Sequence, residues 1–238
     1  CMAYAKEPHR ILFVIFTDGT AVTMTYNKKQ KLCGWTQFET DGLFEWVDVV
    51  REGLEDVAYF TIKRVINGKT VKYIERTRTR IINNARTAFL VDSGLSAEFE
   101  SPVSVIYGLD HLEGKKVVCN ADGGIVPDLL VQNGTITLPF EAKNIIVGLP
   151  YTFEIETLNI EGENTQGLKK LINMVSTKIY SSREDFIICG ANGYEFRNQR
   201  CHDSINNSGN LYSIDLEQTV MSIPTTNASV RLKQDHPL

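Results

Sequence analysis

Two short segments of the sequence combine residue types that can do chemistry. Cys201, His202 and Asp203 supply a thiol, an imidazole and a carboxylate, which are the groups of a nucleophilic triad. Neighbours in sequence rarely form such a triad, because the base must approach the nucleophile in space and needs its own orienting partner. Cys189 and Cys201 with His202 also lack the Cys-x-x-Cys pair of a zinc site. We therefore predict neither catalysis nor metal binding at this segment.

The second segment contains Asp110, His111 and Glu113. In a strand or a tight turn, side chains this close in sequence point to different sides, so they do not converge on one substrate or ion. We predict that Asp110 caps its own turn and that His111 bonds to the backbone. The glycine-rich residues 190–193 lack the lysine and the following helix of a phosphate-binding loop. The sequence thus predicts no catalytic, cofactor-binding or metal-binding residues.

Basic and aromatic residues offer two further possibilities. The lysines at 28, 29 and 31 and the arginines at 76, 78, 80 and 86 are interpreted as solvated faces, with an acidic partner or passing DNA as the alternative. Trp35, Phe38, Phe44 and Trp46 are predicted to pack in the core instead of forming a platform for bases. Aspartates at positions 18, 41, 122 and 128 are interpreted as turn residues.

Composition favours an ordered β protein. The chain has 238 residues, 42% of them hydrophobic, and a net charge of −4, so there is no global basic field to hold nucleic acid. Five scattered cysteines do not resemble a disulfide framework, which indicates a reducing compartment. Cys33, Cys119 and Cys189 are predicted to be small core residues. There is no recognisable signal peptide, and the longest apolar run, 11–16, is too short to span a bilayer. We expect the chain to be part of a longer polypeptide.

The strands that position these groups are predicted from the alternation of apolar residues and from the tight turns between them. Two three-strand units are predicted, at 11–40 and 44–75, and they resemble consecutive blades of a β-propeller, with a plain meander as the alternative. A compact module follows, with strands at 102–107, 116–120, 129–131, 135–138 and 144–147. We expect a helical turn at 166–170, a long strand at 171–180, and strands at 186–189, 211–215 and 230–233.

These units predict an all-β fold: the end of a β-propeller, a small β barrel or sandwich module, and a further β domain. The predicted divisions are propeller blades at 1–80, a connector at 81–100, the barrel or sandwich at 101–151, and a C-terminal β domain at 152–238. Residues 206–209, Asn-Asn-Ser-Gly, are expected to form the most exposed loop.

Several motifs occur in an order that resembles a known family. The most specific lie within 108–151: Gly108-Leu-Asp-His-Leu-Glu-Gly114, Asp122-Gly123, Asn133-Gly-Thr-Ile-Thr-Leu138 and Val147-Gly-Leu-Pro-Tyr151. Weaker matches run from Glu7-Pro8-His9 to the segment ending at Leu238, and the weakest part is 181–229. Together they resemble the C-terminal half of the tail nozzle proteins of short-tailed bacteriophages, also called tail tubular protein B or packaged-DNA stabilisation protein.

The resemblance implies a function without catalysis. Such proteins form a ring in the virion, usually of six copies, below the portal and the tail adaptor protein. The ring is a conduit that retains packaged DNA and passes it during ejection, without sequence recognition, cofactors or membrane insertion. From the residues alone we keep an alternative: a carbohydrate- or receptor-binding β module in which Trp35, Trp46 or Tyr194 stacks on sugar rings. A cell-wall hydrolase would need a pair of carboxylates or a metal centre, for which we find no candidate.

Overall fold

The protein is all-β. A computed structural model describes residues 1–162, 165–182, 187–189, 195–197, 212–221 and 223–235. In this part of the chain the strands form antiparallel sheets, accompanied by two short 3₁₀ turns, Ala85–Thr87 and Asp110–Leu112. Within the same residues there is no helix whose length and apolar character would let it cross a membrane.

The first seven strands form two sheets. Sheet A is a four-stranded meander in the order β1 (Met2–Ala5), β2 (Ile11–Ile15), β3 (Ala21–Asn27) and β4 (Leu32–Phe38). Sheet B contains β5 (Leu43–Glu52), β6 (Glu55–Ile66) and β7 (Lys69–Arg76). The predicted strands of both units are confirmed, and β1 is an additional strand. Asn67 and Gly68 have φ of 49° and 73°, the left-handed pair that a two-residue hairpin turn requires.

Sheets A and B pack face to face around a cluster of phenylalanines. Strand alternation places Phe60 and Ile62 of β6 on the inner face of sheet B, and Phe13 of β2 on the inner face of sheet A. The ring of Phe60 lies 5.5 Å, centroid to centroid, from each of the rings of Phe13, Phe38 and Phe44. These distances are typical of favourable aromatic pairs, so the four rings form the centre of a shared core.

One carboxylate ties the edge of sheet B to the loop after β1. Oδ2 of Asp56 accepts the backbone N–H groups of Lys6 (2.7 Å) and Glu7 (3.0 Å), and Oδ1 accepts a bond from Nη1 of Arg51 (3.1 Å). The hydrogen bonds from Glu7 and Lys6, followed by the bond and charge of Arg51, lower the pKa of Asp56 from 3.8 to about 2.

The next sheet forms a central module in the order β10-β9-β11-β8. Its strands are β8 (Asp92–Ile106), β9 (Lys116–Ala121), β10 (Gly124–Leu130) and β11 (Ile136–Leu149). The strands predicted at 135–138 and 144–147 are both confirmed as strand, but they are parts of one strand, β11, so only their separation was wrong. Its register against β8 shifts between Thr137 and Ala142, where Pro139 cannot donate a ladder hydrogen bond. β8 begins ten residues before the predicted strand at 102–107 and so crosses the expected division at 100.

A segment without strands leads from sheet B to the central module, and Asn120 holds it in place. The side chain of Asn120 in β9 is only 3% exposed. Its Nδ2 donates to the carbonyl oxygen of Ala85 at 2.8 Å and to that of Ala88 at 3.4 Å. The connecting segment is thereby fixed against the module before β8 begins.

The C-terminal part contains two further sheets. One has the order β12-β17-β14-β15, with β12 at Phe153–Glu156, β14 at Ile187–Cys189, β15 at Glu195–Arg197 and β17 at Arg231–Gln234. The other pairs β13 (Met174–Ser182) with β16 (Tyr212–Thr219). The predicted helical turn at 166–170 was wrong: residues 166–167 form a turn, and Lys170 then makes a β-bridge with Thr225. The predicted loop at 206–209 lies outside the described residues.

Replacing Phe60 by alanine should strongly destabilise the protein. The substitution removes the ring that three other phenylalanines contact, and we expect the free energy of unfolding to fall by about 3–5 kcal/mol. Thr61→Ala, one residue further on the opposite face of the same strand, is the matched control, with an expected loss below about 1 kcal/mol. Urea unfolding followed by tryptophan fluorescence measures both. Equal losses would contradict the assigned core.

The low pKa of Asp56 predicts a specific acid dependence. Because the folded-state pKa lies below the unfolded value, this carboxylate contributes stability that is present above about pH 4 and lost as the pH falls through about 2. Asp56→Asn keeps one acceptor oxygen but does not titrate, so its stability should fall less steeply between pH 4 and 2 than that of the wild type. Thermal melts across this pH range provide the measurement, and parallel curves would show that Asp56 is not tied in this way.

Candidate functional site

The segment with Asp110, His111 and Glu113 fixes turns. Nε2 of His111 lies 3.0 Å from the carbonyl oxygen of Ser93, so the predicted backbone contact of His111 is confirmed. The carboxylate of Glu113 accepts the N–H groups of Asn133 (3.0 Å) and Gly134 (2.7 Å) and so reaches across to a second turn. Among the described residues no side-chain bond caps the 3₁₀ turn, so the capping role predicted for Asp110 was wrong.

Asp110 instead packs against the turn that Glu113 holds. A Cβ atom at position 134 would lie 2.5 Å from Oδ1 of Asp110, and Gly134 has φ of 65°. Both the close approach and the left-handed backbone require glycine at this position. The motifs at 108–114 and 133–138 are therefore two halves of one interlocked loop structure, which explains why they occur together.

The cysteines divide between core and surface. Cys119 and Cys189 are buried, as predicted, and burial raises the pKa of the Cys119 thiol to about 12, so this sulfur is a core atom without nucleophilic character. Cys33 is exposed on the edge strand β4, so its predicted burial was wrong. The segment Cys201-His202-Asp203, the glycine-rich residues 190–193 and Tyr194 lie outside the described residues.

The arginine cluster is used within the chain. Nη1 of Arg76 binds Glu52 at 2.7 Å, and the guanidinium of Arg78 lies 5.2 Å from the centre of the Phe89 ring. Nη2 of Arg80 donates to the carbonyl oxygens of Glu7 and Asp56, each at 3.1 Å. The contacts of Arg80 join the connecting segment to sheet B and to the loop after β1. The engagement of these three arginines within the chain favours a structural role over the recognition of an acidic partner.

A buried arginine joins sheet B to the central module. The side chain of Arg64, on the inner face of β6, is only 4% exposed. Its Nε and Nη2 bind both carboxylate oxygens of Glu75 in β7, at 2.6 and 2.8 Å. Nη2 also contacts Oδ1 of Asp92 at the start of β8 (3.2 Å) and Oγ1 of Thr40 (2.7 Å). Nη1 donates to the carbonyl oxygen of Asp41 at 2.7 Å.

These hydrogen bonds and ion pairs keep the buried guanidinium of Arg64 charged. Burial alone would lower the pKa of Arg64, but the hydrogen bonds and charges of Glu75 and Asp92 outweigh it and raise the pKa. The adjoining cavity, lined by Asp41, His111 and other residues, has a volume of about 10 Å³, which suits no more than a single water molecule. We therefore interpret the group as a joint and not as a ligand site. The signal for this contact in the sequence was Arg64 itself, a charged residue at an inward-facing position of a strand.

The aromatic residues separate into two classes. Phe44 is buried and Phe38 packs against the same core, as predicted. Trp35 and Trp46 are each 60% exposed, so their predicted core packing was wrong. The phenylalanines occupy inward positions of their strands, whereas both tryptophans occupy outward positions. The two indoles lie on the outer faces of different sheets and cannot form one common platform.

Trp35 belongs to an apolar surface that covers sheet A. Tyr4, Leu12, Met24 and Trp35 are direct cross-strand neighbours and form one row across all four strands. The adjacent row contains Met2, Val14, Val22 and Gln37. These eight residues define face 1, which has no charged side chain.

Trp46 belongs to a second surface on sheet B. Trp46, Thr61 and Ile74 form a row across its three strands, and Ile74 is 79% exposed. The neighbouring outward positions of β6 and β7 are Lys63, Val65, Thr70 and Lys72. These seven residues define face 2. Lys72 is bound to Glu45 at 2.7 Å, and the row on the other side of Trp46, Thr61 and Ile74 contains Asp48, Tyr59 and Arg76. Face 2 is therefore a mixed surface in which exposed apolar side chains lie among charged ones.

Sheet A therefore carries apolar residues on both sides, whereas the outer side of sheet B is mixed. Antiparallel sheets that face water usually alternate apolar-in and polar-out, so an apolar outer face indicates a layer that packs there. Contiguous exposed apolar patches of this kind mark interaction surfaces. Faces 1 and 2 are the candidate functional site, and the chemistry that they support is association.

The chain matches no protein-family model and no curated protein.

Replacing Arg64 by methionine tests whether this buried arginine holds sheet B and the central module together. Methionine fills much of the volume but leaves Glu75 and Asp92 without their cation, and we expect a loss of about 3–5 kcal/mol in unfolding free energy. Arg64→Lys should also destabilise, because a point charge cannot reproduce the forked contacts.

The matched control is Lys72→Met, which breaks the exposed ion pair with Glu45 in the same sheet and should cost less than about 1 kcal/mol. Denaturant titration of the three variants provides the comparison. An Arg64→Met variant as stable as Lys72→Met would contradict the proposed joint.

Proposed function

We propose that this protein is a structural component of the tail nozzle of short-tailed bacteriophages. In this role it is a virion protein without catalysis that assembles as a homo-oligomer beneath the adaptor protein, with six copies as is usual in the family it resembles. The assembled ring retains packaged DNA and lets it pass during ejection. The proposal rests on the sequence motifs within 108–151 that resemble this family, and the exposed apolar rows on the outer face of sheet A support it, since such a surface is suited to association.

The proposal includes a finer description of the fold. Sheets A and B are interpreted as consecutive propeller blades, and the central module as a small barrel or sandwich. Neighbouring propeller blades pack face to face, which is the relation that the phenylalanine core gives to these two sheets. Apolar rows on the outer face of sheet A support a further layer on that side. A two-sheet sandwich with polar outer faces on both sheets would instead have supported the alternative interpretation, a plain meander.

Net charge is compatible with DNA in transit. With −4 per copy, six copies carry 6 × (−4), or −24, so the assembly as a whole does not attract phosphate. A strongly basic wall would bind DNA in a salt-dependent manner and slow its passage. The arginines at 76, 78 and 80 are engaged within the chain and so do not provide such a wall.

A second candidate function is the binding of carbohydrate or of a receptor. The exposure of Trp35 and Trp46 favours it, because exposed indoles stack on sugar rings. Their position on different sheets limits this mode to one tryptophan per site. This arrangement suits weak individual contacts better than a closed sugar pocket.

Assembly and glycan binding make opposite predictions for the purified chain. A nozzle component should form a closed oligomer, seen as one discrete mass by size exclusion with light scattering and as rings by negative-stain electron microscopy. A binding module should remain monomeric or trimeric and shift its tryptophan fluorescence on titration with bacterial surface polysaccharide. A monomer at all concentrations that quenches with polysaccharide would replace the first function by the second.

A further inference from the structure

We propose that β4, an edge strand of sheet A, pairs antiparallel with β4 of a second copy of this chain. Sheet A has the order β1-β2-β3-β4, and among the described residues β4 pairs with β3 alone. The contact is isologous, with Trp35 of one copy opposite Trp35 of the other. The inference goes beyond the proposed function, because a cyclic ring is built from heterologous contacts.

The outer edge of β4 presents free backbone groups. The N–H of Tyr26 donates to the carbonyl oxygen of Arg10 at 3.1 Å, so the even-numbered residues of β3 bond to β2. Because the two directions alternate along an antiparallel strand, the odd-numbered residues of β3 bond to β4, where their partners are residues 32, 34, 36 and 38. The N–H and C=O groups of Cys33, Trp35 and Gln37 therefore point away from sheet A.

The sequence of β4 lacks the features that keep other edge strands from pairing. Native proteins protect sheet edges with charged side chains, proline or a covering segment. The edge strands of sheet B, β5 and β7, each carry several charges, and β1 at the other edge of sheet A contacts β5 and β6. The seven residues of β4 include neither a charge nor a proline, and the first six are exposed. This edge is suited to the addition of a strand.

The hydrogen-bond pattern of β4 fits a second β4. The strand has seven residues, so two antiparallel copies overlap completely when Trp35 lies opposite itself. The same register places Cys33 opposite Gln37, so the outward backbone groups of one copy meet those of the other. About six inter-strand hydrogen bonds then form, two for each of the three pairs. The two indoles become direct cross-strand neighbours, which is a favourable aromatic pair.

Charge complementarity at the ends of β4 identifies a second copy as the occupant. Lys31 directly precedes β4 and Glu39 directly follows it. Both residues are exposed, and neither forms an ion pair within the described part of the chain. The register that centres Trp35 places Lys31 of each copy opposite Glu39 of the other. A parallel pair would instead bring like charges together at both ends, which is destabilising. The charges therefore favour the antiparallel self-pair.

The size of the contact makes the dimer weak and reversible. One pair of seven-residue strands is a small interface, below the roughly 1,200 Å² of stable complexes. We therefore expect a dissociation constant on the order of 0.1 mM. The chain is then mainly monomeric in dilute solution and pairs where copies are concentrated.

A cross-linking variant, Gln37→Cys, tests the register. The new thiol lies opposite Cys33 of the second copy, at a Cα distance of about 5.5 Å that a disulfide can span. Positions 33 and 37 of one chain are about 13 Å apart along the strand, too far for a disulfide within the chain. Mild oxidation of the concentrated variant should give a covalent dimer on a non-reducing gel, with peptides linked between positions 33 and 37 by mass spectrometry.

The matched control is Thr36→Cys. This position is also exposed, but its side chain lies on the opposite side of the sheet from Cys33. It should cross-link no more than the wild type, in which Cys33 lies opposite Gln37 and not opposite itself.

Reversal of the flanking charges gives an independent measurement. Lys31→Glu and Glu39→Lys should each weaken the dimer by about 10-fold, because both ends then hold like charges. An equimolar mixture of the two variants should pair as well as the wild type, since each reversed charge meets its opposite. Sedimentation equilibrium gives the dissociation constants, and circular dichroism melts verify that the variants are folded.

Each outcome supports or overturns the self-pair. A 33-to-37 link in Gln37→Cys and recovery in the charge-reversed mixture would support it. A Gln37→Cys variant that stays monomeric, or that links no more than Thr36→Cys, would overturn it. A mixture no tighter than its components, or a link between the Cys33 residues of two wild-type copies, would also overturn it. The nozzle function would stand in all these cases, because its ring uses other contacts.

Discussion

An extended strand presents its side chains alternately to two sides, and this constraint governs most of the molecule. Where only one side is apolar, two sheets can bury each other and the architecture is complete. In sheets A and B the inner side is covered by the phenylalanine cluster. The outer side of sheet A carries further apolar rows, and that of sheet B carries single apolar side chains among charged ones. The hydrophobic effect therefore acts on sheet A in both directions. The exposed apolar rows of sheet A are the feature that links this fold to the proposed assembly.

The contact between sheet B and the central module follows a different principle. Here the two parts meet through a desolvated guanidinium whose donors reach Glu75, Thr40, Asp41 and Asp92. A buried ion pair adds little net stability compared with apolar packing, because the charged groups lose their hydration. Its geometry, however, is restrictive, because the forked N–H groups of Arg64 donate to carboxylate oxygens that lie near the plane of the guanidinium. The apolar core thus supplies cohesion, and the arginine selects one arrangement of the parts.

The sequence predicted the strands of the first two sheets well because they combine clear alternation with turn residues such as Asn67 and Gly68. It was less informative where one strand is interrupted, as in β11, since a bulge at Pro139 looks like the end of a strand. Burial of Trp35 and Trp46 was predicted from residue type, which fails when both faces of a sheet are apolar. Arg64 was missed because a single sequence does not show which carboxylates will meet an inward-facing cation. The central motifs were recognised as structural, although their interlocking through Glu113 requires contacts between distant segments.

The position of Asp92 has a mechanical consequence. This residue is held by Arg64 and Thr40 and is also the first residue of β8, which continues for 15 residues. At about 3.3 Å per residue, a straight strand of that length measures roughly 50 Å. A rotation of about 5° at the anchored end would displace the far end by roughly 4 Å, close to the spacing between neighbouring strands. The hydrogen bonds at Asp92 therefore fix the direction of β8 at its first residue, where a small rotation would be enough to carry the far end of the strand out of hydrogen-bonding distance of its neighbour.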